Sequence, residues 1–194
     1  MNLLEKNDAR ARLKAHLPKL SDREESEIKI LNRTYPLLQG NAKIIAYVAD
    51  QNIEVDLLPL VASCPLPRPA AFWEYHHSAR WFFPKISDTD TMVFIRPMAW
   101  EKGKFGIWEP VGDEEISPSD ADLILVPALG YAANGARLGR GGGYYDRVLG
   151  EKEIRRKTVG FTFSKFFPVP VQPEEHDVIV GKVITEVGIH TFLD

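Results

Sequence analysis

Residues 137 to 146 read Arg137-Leu-Gly-Arg-Gly-Gly-Gly-Tyr-Tyr-Asp146, two arginines and four glycines running into two tyrosines and a carboxylate. Glycines at 139, 141, 142 and 143 let backbone N–H groups approach an anion closely, and Arg137 and Arg140 add fixed positive charge. The pattern is that of a phosphate loop. An apolar run, Ala121-Asp-Leu-Ile-Leu-Val-Pro127, precedes it, and Tyr144-Tyr-Asp-Arg-Val-Leu149 follows with helical spacing. The order strand, loop, helix places the phosphate at the helix N-terminus. Taken alone, the loop also reads as a tight turn, and Asp146 as a first-turn carboxylate favoured by the helix dipole.

Other elements must hold this loop in place. Lys6 to about Leu17 has helical spacing, and Ser21-Asp-Arg-Glu24 forms a capping-box pattern ahead of Ile28, Leu31, Tyr35 and Leu38, with Gly40 as the stop. Lys43 to Val48 reads as the first buried strand, and a short helix is expected to open near Glu54-Val-Asp56. Further strands are expected at Thr91 to Ile95, Ala121 to Val126, Thr158 to Phe163 and Val183 to Glu186. Strands alternating with helices predict an α/β fold: a largely parallel sheet with helices on both faces, in a single domain spanning 1–194. Residues 63–83, with Pro65, Pro67 and Pro69 before the aromatic piece Phe72 to Phe83, read as an elaboration on that fold.

Composition limits the partners. The 194 residues are 44% hydrophobic and 26% charged, enough for a substantial core. A net charge of −3 and a pI near 6.0 give no global attraction to nucleic acid or anionic membrane, so any positive site is local. The single Arg140-Gly-Gly element beside two tyrosines is a poor nucleic-acid module in an acidic protein. Cys64, the sole cysteine, excludes an intramolecular disulfide framework and a thiolate-rich zinc site. His76 and His77 are adjacent and therefore diverge. No signal-peptide core or membrane-length apolar run is present, which predicts a soluble protein of the cytoplasm. The glycines are not followed by the Gly-Lys-Ser/Thr of a Walker A loop, and they miss the last glycine of a dinucleotide fingerprint.

Several segments together resemble the 5-formyltetrahydrofolate cyclo-ligase (5,10-methenyltetrahydrofolate synthetase) family. They are Leu123 to Tyr131, Gly135 to Arg147 and Leu149, with Lys6-Asn-Asp-Ala-Arg10, Glu54-Val-Asp56, Phe105-Gly-Ile-Trp-Glu-Pro110, Gly160-Phe161, Glu175-His-Asp-Val178 and Thr185-Glu186 in the same order. The resemblance implies ATP and Mg²⁺ as cofactors and 5-formyltetrahydrofolate as substrate. A formamide oxygen is a poor leaving group, so closing the ring from N10 onto the N5-formyl carbon requires that oxygen to be phosphorylated first. The resemblance further implies ATP contacts at Lys6, Arg10, Arg137, Leu138, Gly139, Arg140, Gly141, Gly142, Gly143, Tyr144 and Tyr145. Glu54, Arg140 and Tyr144 would bind the folate, Arg140 and Tyr144 would take part in the chemistry, and Asp146 and Asp177 would hold the metal. Lys6 and Arg10 lie four apart, on one helix face.

The chain departs from the family pattern at Ala132 and Gly181, where Asp is common, and at Trp108, where a smaller residue or proline is usual. These departures keep open a catalytically silent folate- or nucleotide-binding relative.

Overall fold

The computed structural model describes residues 3–50, 53–60, 79–87, 91–174 and 177–193. Two apolar strand runs organise the sheet. In β7 (Leu123–Val126) and β10 (Thr158–Phe161) every residue is buried, because both faces are covered. Alternation within these runs feeds two cores. Ile44, Leu123, Leu125 and Phe161 pack with Ala9, Leu13, Ile30 and Leu31 of the two N-terminal helices. Ile45, Ile124, Val126 and Val183 pack on the other face with Tyr145, Leu149 and Ile154. Helices therefore cover both faces: α1 (Lys6–His16) and α2 (Arg23–Leu38) one, α3 (Tyr144–Val148) and α4 (Lys152–Arg156) the other.

The remaining strands of this sheet are β1 (Lys43–Ile45), β2 (Arg80–Ile86), β3 (Met92–Ile95), β6 (Glu115–Ile116), β11 (Lys182–Ile184) and β12 (Ile189–Thr191). The order is β12-β11-β10-β7-β1-β2-β3-β6. The central pairings, β2–β1–β7–β10–β11, are parallel. Both edges are antiparallel. Two small hairpins stand off the sheet: β4 (Ala99–Lys102) with β5 (Trp108–Val111), and β8 (Gly130–Tyr131) with β9 (Arg137–Leu138). Neither hairpin, nor β6 nor β12, has a counterpart in the sequence reading.

Three local expectations are corrected. The capping box does not form: α2 begins at Arg23 behind Asp22, which makes no side-chain cap bond. Arg23 instead reaches the Glu54 carbonyl at 2.6 Å. Along α2 the buried residues are Ser26, Ile30, Leu31, Thr34 and Leu38, which turns Ile28 outward. No α-helix opens at Glu54. A turn is followed by a 3-10 turn at Leu58–Leu60. Of the stretch 63–83, residues up to 78 lie outside the described residues, and its end forms the start of β2, with Trp81, Phe82 and Phe83 buried.

Candidate active site

The strand-loop-helix order holds only in outline. The β8–β9 hairpin intervenes between β7 and the loop, and α3 has just five residues, too short for its dipole to dominate. Positive charge comes from side chains instead. Gly141 and Gly143 have φ of +107° and +68°, backbone that only glycine adopts without strain. Gly139 is needed for a different reason: a Cβ there would lie 2.5 Å from the Arg137 guanidinium.

The loop separates two cavities. The first, about 420 Å³, has mostly apolar walls, including Val48, Ile86, Met92, Ile107 and Ala128. Glu54, Glu109, Arg140, Tyr144 and Tyr145 also face it. The second, about 560 Å³, is polar and is lined by Lys6, Arg10, Arg137 and Arg147 together with Glu5, Asp146, Glu174 and Asp177. Gly139, Gly143 and Arg137 line both cavities.

Helix α1 reaches the second cavity because its start is tied down. The Leu4 N–H donates to the Pro170 carbonyl at 2.7 Å, and Leu4 forms a bridge with Val171. That contact lays α1 across the loop. Ala9 and Leu13 turn inward and Lys6 and Arg10 face the cavity. Lys6 Nζ sits 2.7 Å from Asp177 Oδ1 and 3.0 Å from Glu174 Oε2. Burial pulls the ammonium down, but the bonds to Asp177 and Glu174 outweigh it and raise its pKa above the usual 10.5, so Lys6 is a fixed cation. Arg10 Nε donates to the Gly139 carbonyl at 3.0 Å and braces the loop.

Arg137 is the central side chain. It is 7% exposed, it pairs through Nη2 with Asp146 Oδ1 at 2.8 Å, and its guanidinium stacks 5.3 Å from the Tyr145 ring centroid. Arg140 pairs with Asp50, whose own N–H donates to Glu54 Oε2 at 2.9 Å. Glu54 is 4% exposed, and burial raises its pKa even though the Asp50 N–H and the Arg140 charge oppose that shift. Tyr144 lies 6.0 Å, edge to face, from Phe105 at the tip of the β4–β5 hairpin, with the Arg147 guanidinium 4.8 Å over its ring.

The expected site residues thus assemble, with redistribution. Lys6, Arg10, Arg137, Gly139, Gly141, Gly143, Asp146 and Asp177 line the second cavity. Glu54, Arg140, Gly142, Tyr144 and Tyr145 line the first. Tyr144 and Tyr145, expected among the ATP contacts, face the apolar side, and Leu138 is buried in the core and lines neither cavity. Sequence reasoning assigned no role to Asp50, Glu109, Arg147 or Glu174. Glycines at 103 and 106 around Phe105 were the available sign of a hairpin wall. Of the departures, Trp108 lines the first cavity beneath Lys102, whose Nζ is 4.3 Å from its ring. Gly181 lies outside both cavities, where a Cβ would meet the Arg156 carbonyl at 2.8 Å, and Ala132 is a core residue.

An α/β sheet thus carries a glycine loop between a charged, polar cavity and a largely apolar one. The profile of the 5-formyltetrahydrofolate cyclo-ligase family matches residues 74–186, and the chain belongs to that family. A mouse 5-formyltetrahydrofolate cyclo-ligase is 29% identical over 106 residues, 53% of this chain and 52% of the mouse protein. A Mycolicibacterium smegmatis protein of the same name is 36% identical over 112 residues, 52% of this chain and 57% of that one. The chain spans about half the length of these two curated relatives. The solved Aquifex aeolicus 5,10-methenyltetrahydrofolate synthetase superposes with a TM-score of 0.76 at 26% identity, over 98% of this chain and 94% of that one.

Proposed function

We propose that this chain is an ATP- and Mg²⁺-dependent 5-formyltetrahydrofolate cyclo-ligase of the cytoplasm that forms 5,10-methenyltetrahydrofolate, ADP and phosphate. The observation that carries the reading is the shared wall: Arg137 and the glycine loop face a polar cavity on one side and an apolar one on the other. Transfer of a phosphoryl group from nucleotide to folate needs its donor and acceptor sites joined at such a wall. A pterin and its aminobenzoyl arm suit the apolar cavity, where Glu54 and Tyr144 stand.

The second cavity suits phosphates accompanied by a metal. Its four cations, Lys6, Arg10, Arg137 and Arg147, are matched by four carboxylates, Glu5, Asp146, Glu174 and Asp177, so a bare polyphosphate would meet repulsion as well as attraction. Among the described residues no three His, Cys, Asp or Glu side chains form a self-sufficient metal cluster. Mg²⁺ needs none, since it keeps its waters and bridges one or two carboxylates to phosphate. Asp146 and Asp177 are the hard oxygen donors that would hold it.

When bound, the nucleotide supplies the phosphoryl group that turns the formyl oxygen into a leaving group, and Mg²⁺ spreads its charge. The chain's own residues position and stabilise. Lys6 and Arg10 grip phosphate oxygens from α1, and the loop N–H groups cradle them. Arg140, freed from Asp50, follows the charge as it moves toward the folate. The apolar walls exclude the water that would hydrolyse an activated formyl group. Incubation with 5-formyltetrahydrofolate and MgATP tests this: methenyl absorbance should rise with one ADP per product, and absence of product with both ligands bound would leave a silent binding protein.

A further inference from the structure

Buried polar groups are nearly always hydrogen-bonded, and those that are not carry a cost that invites an explanation. Among the described residues, four side-chain donors are buried without a partner: Trp81 Nε1, Trp100 Nε1, Arg137 Nε and Tyr145 Oη. Arg137 and Tyr145 line the first cavity, whereas the two tryptophans do not. Both are at least nine-tenths buried, and their side chains stack on one another at 5.3 Å. Two neighbouring residues of one cavity wall thus each keep a buried donor without a partner.

We propose that Tyr145 Oη–H and Arg137 Nε–H together receive the N5-formyl oxygen of the folate in the first cavity. The inference rests on the cyclo-ligase reading and deepens it. Arg137 also faces the polar cavity and is anchored there by Asp146, so an oxygen bound at its Nε would lie at the border with the cavity proposed to take the phosphates. That is where the oxygen to be phosphorylated has to be. The folate's glutamate carboxylates are charged and terminal and belong at the cavity mouth, not against a buried phenol. A phenol is protonated at neutral pH and therefore acts as a donor to a carbonyl oxygen. The fold supports this geometry: Tyr145 packs its ring among Ile124, Val126 and Leu149, which fixes the hydroxyl without bonding it.

The test is Tyr145→Phe, which keeps the ring and deletes the donor. Thermal unfolding without ligand should match wild type or exceed it, since no bond is lost. Affinity for 5-formyltetrahydrofolate, measured calorimetrically without nucleotide, should fall about tenfold, while affinity for MgATP stays within about twofold. 5-Methyltetrahydrofolate, which lacks the formyl oxygen, should bind wild type and variant alike. The inference is overturned if the 5-formyl compound binds both proteins equally or if the 5-methyl compound loses as much affinity. It is also overturned if the ligand-free variant melts several degrees lower, which would show that the hydroxyl has a structural partner. Failure of wild type to bind 5-formyltetrahydrofolate at all would be a different result, sinking the functional reading itself and this inference with it.

Discussion

Gly139→Ala isolates the role of Arg137 without touching a charge. The added methyl would lie 2.5 Å from Arg137 Nη1 and 2.9 Å from Cζ and Nη2, about 0.9 Å inside the 3.4 Å at which ordinary contact begins. An exposed arginine would swing aside. Arg137 is hemmed in by Asp146 at 2.8 Å, the Tyr145 ring and the Pro127 carbonyl, so its guanidinium must be displaced by nearly 1 Å or the loop must shift. Overpacking of this kind costs about 1–3 kcal/mol, which for a chain of this size lowers the melting midpoint by a few degrees. Catalysis should suffer more, because a 1 Å misplacement of a positioning group lowers rate by about 10²-fold. The assay is steady-state turnover beside thermal unfolding, with Gly40→Ala as control. Gly40 sits at φ +80° with no atom within 4 Å of a new Cβ, so that variant should lose roughly 1–2 kcal/mol of stability with normal turnover. Full activity in folded Gly139→Ala would refute the claim that Arg137's placement matters to the chemistry.

Three further outcomes follow from the site. Arg140→Ala should lower turnover more than tenfold, since a lost transition-state charge contact costs about 2.7–4 kcal/mol, while its half-exposed pair with Asp50 contributes little to the melting midpoint; kinetics and melting on one preparation check both. Asp146→Asn and Asp177→Asn should each raise the Mg²⁺ concentration for half-maximal activity, and a metal titration at saturating ATP with unchanged midpoints would remove them from the metal site. Glu54→Gln should be more stable than wild type at neutral pH, because the native carboxylate is buried against its charge. The sign follows from a folded pKa raised above the ordinary 4.5: the native state binds the extra proton, so wild-type stability falls as pH rises through that window. The melting advantage of Glu54→Gln should therefore grow from pH 4.5 upward, and a constant gap across pH would contradict it.

The parts legible in sequence were those with a local signature. The run 123–126 is apolar on both faces and 158–161 nearly so, with Thr158 the one polar member, so their burial could be read directly, and the glycine loop announced itself through Gly141 and Gly143, whose backbone only glycine follows without strain. The β8–β9 hairpin was not legible. Strands of two residues carry no period, and Gly130–Tyr131 and Arg137–Leu138 are held by backbone bonds that any side chains permit. Distance along the chain hid the rest. Lys6 meets Asp177 171 positions away, and Arg140 meets Asp50 90 positions away. Family resemblance brought the first pair to a common site, but nothing in either segment marks Asp50. Tyr144 and Tyr145 look equivalent in sequence; the five-residue helix turns Tyr145 into the core and leaves Tyr144 against Phe105.

The central claim is that the wall formed by Arg137 and the glycine loop brings the formyl oxygen to phosphate. The direct measurement is the fate of that oxygen: 5-formyltetrahydrofolate labelled with ¹⁸O in the formyl group is turned over with MgATP, and the released phosphate is analysed by mass spectrometry. One ¹⁸O in each phosphate is the predicted result. Unlabelled phosphate, with the label recovered in water, would contradict the account.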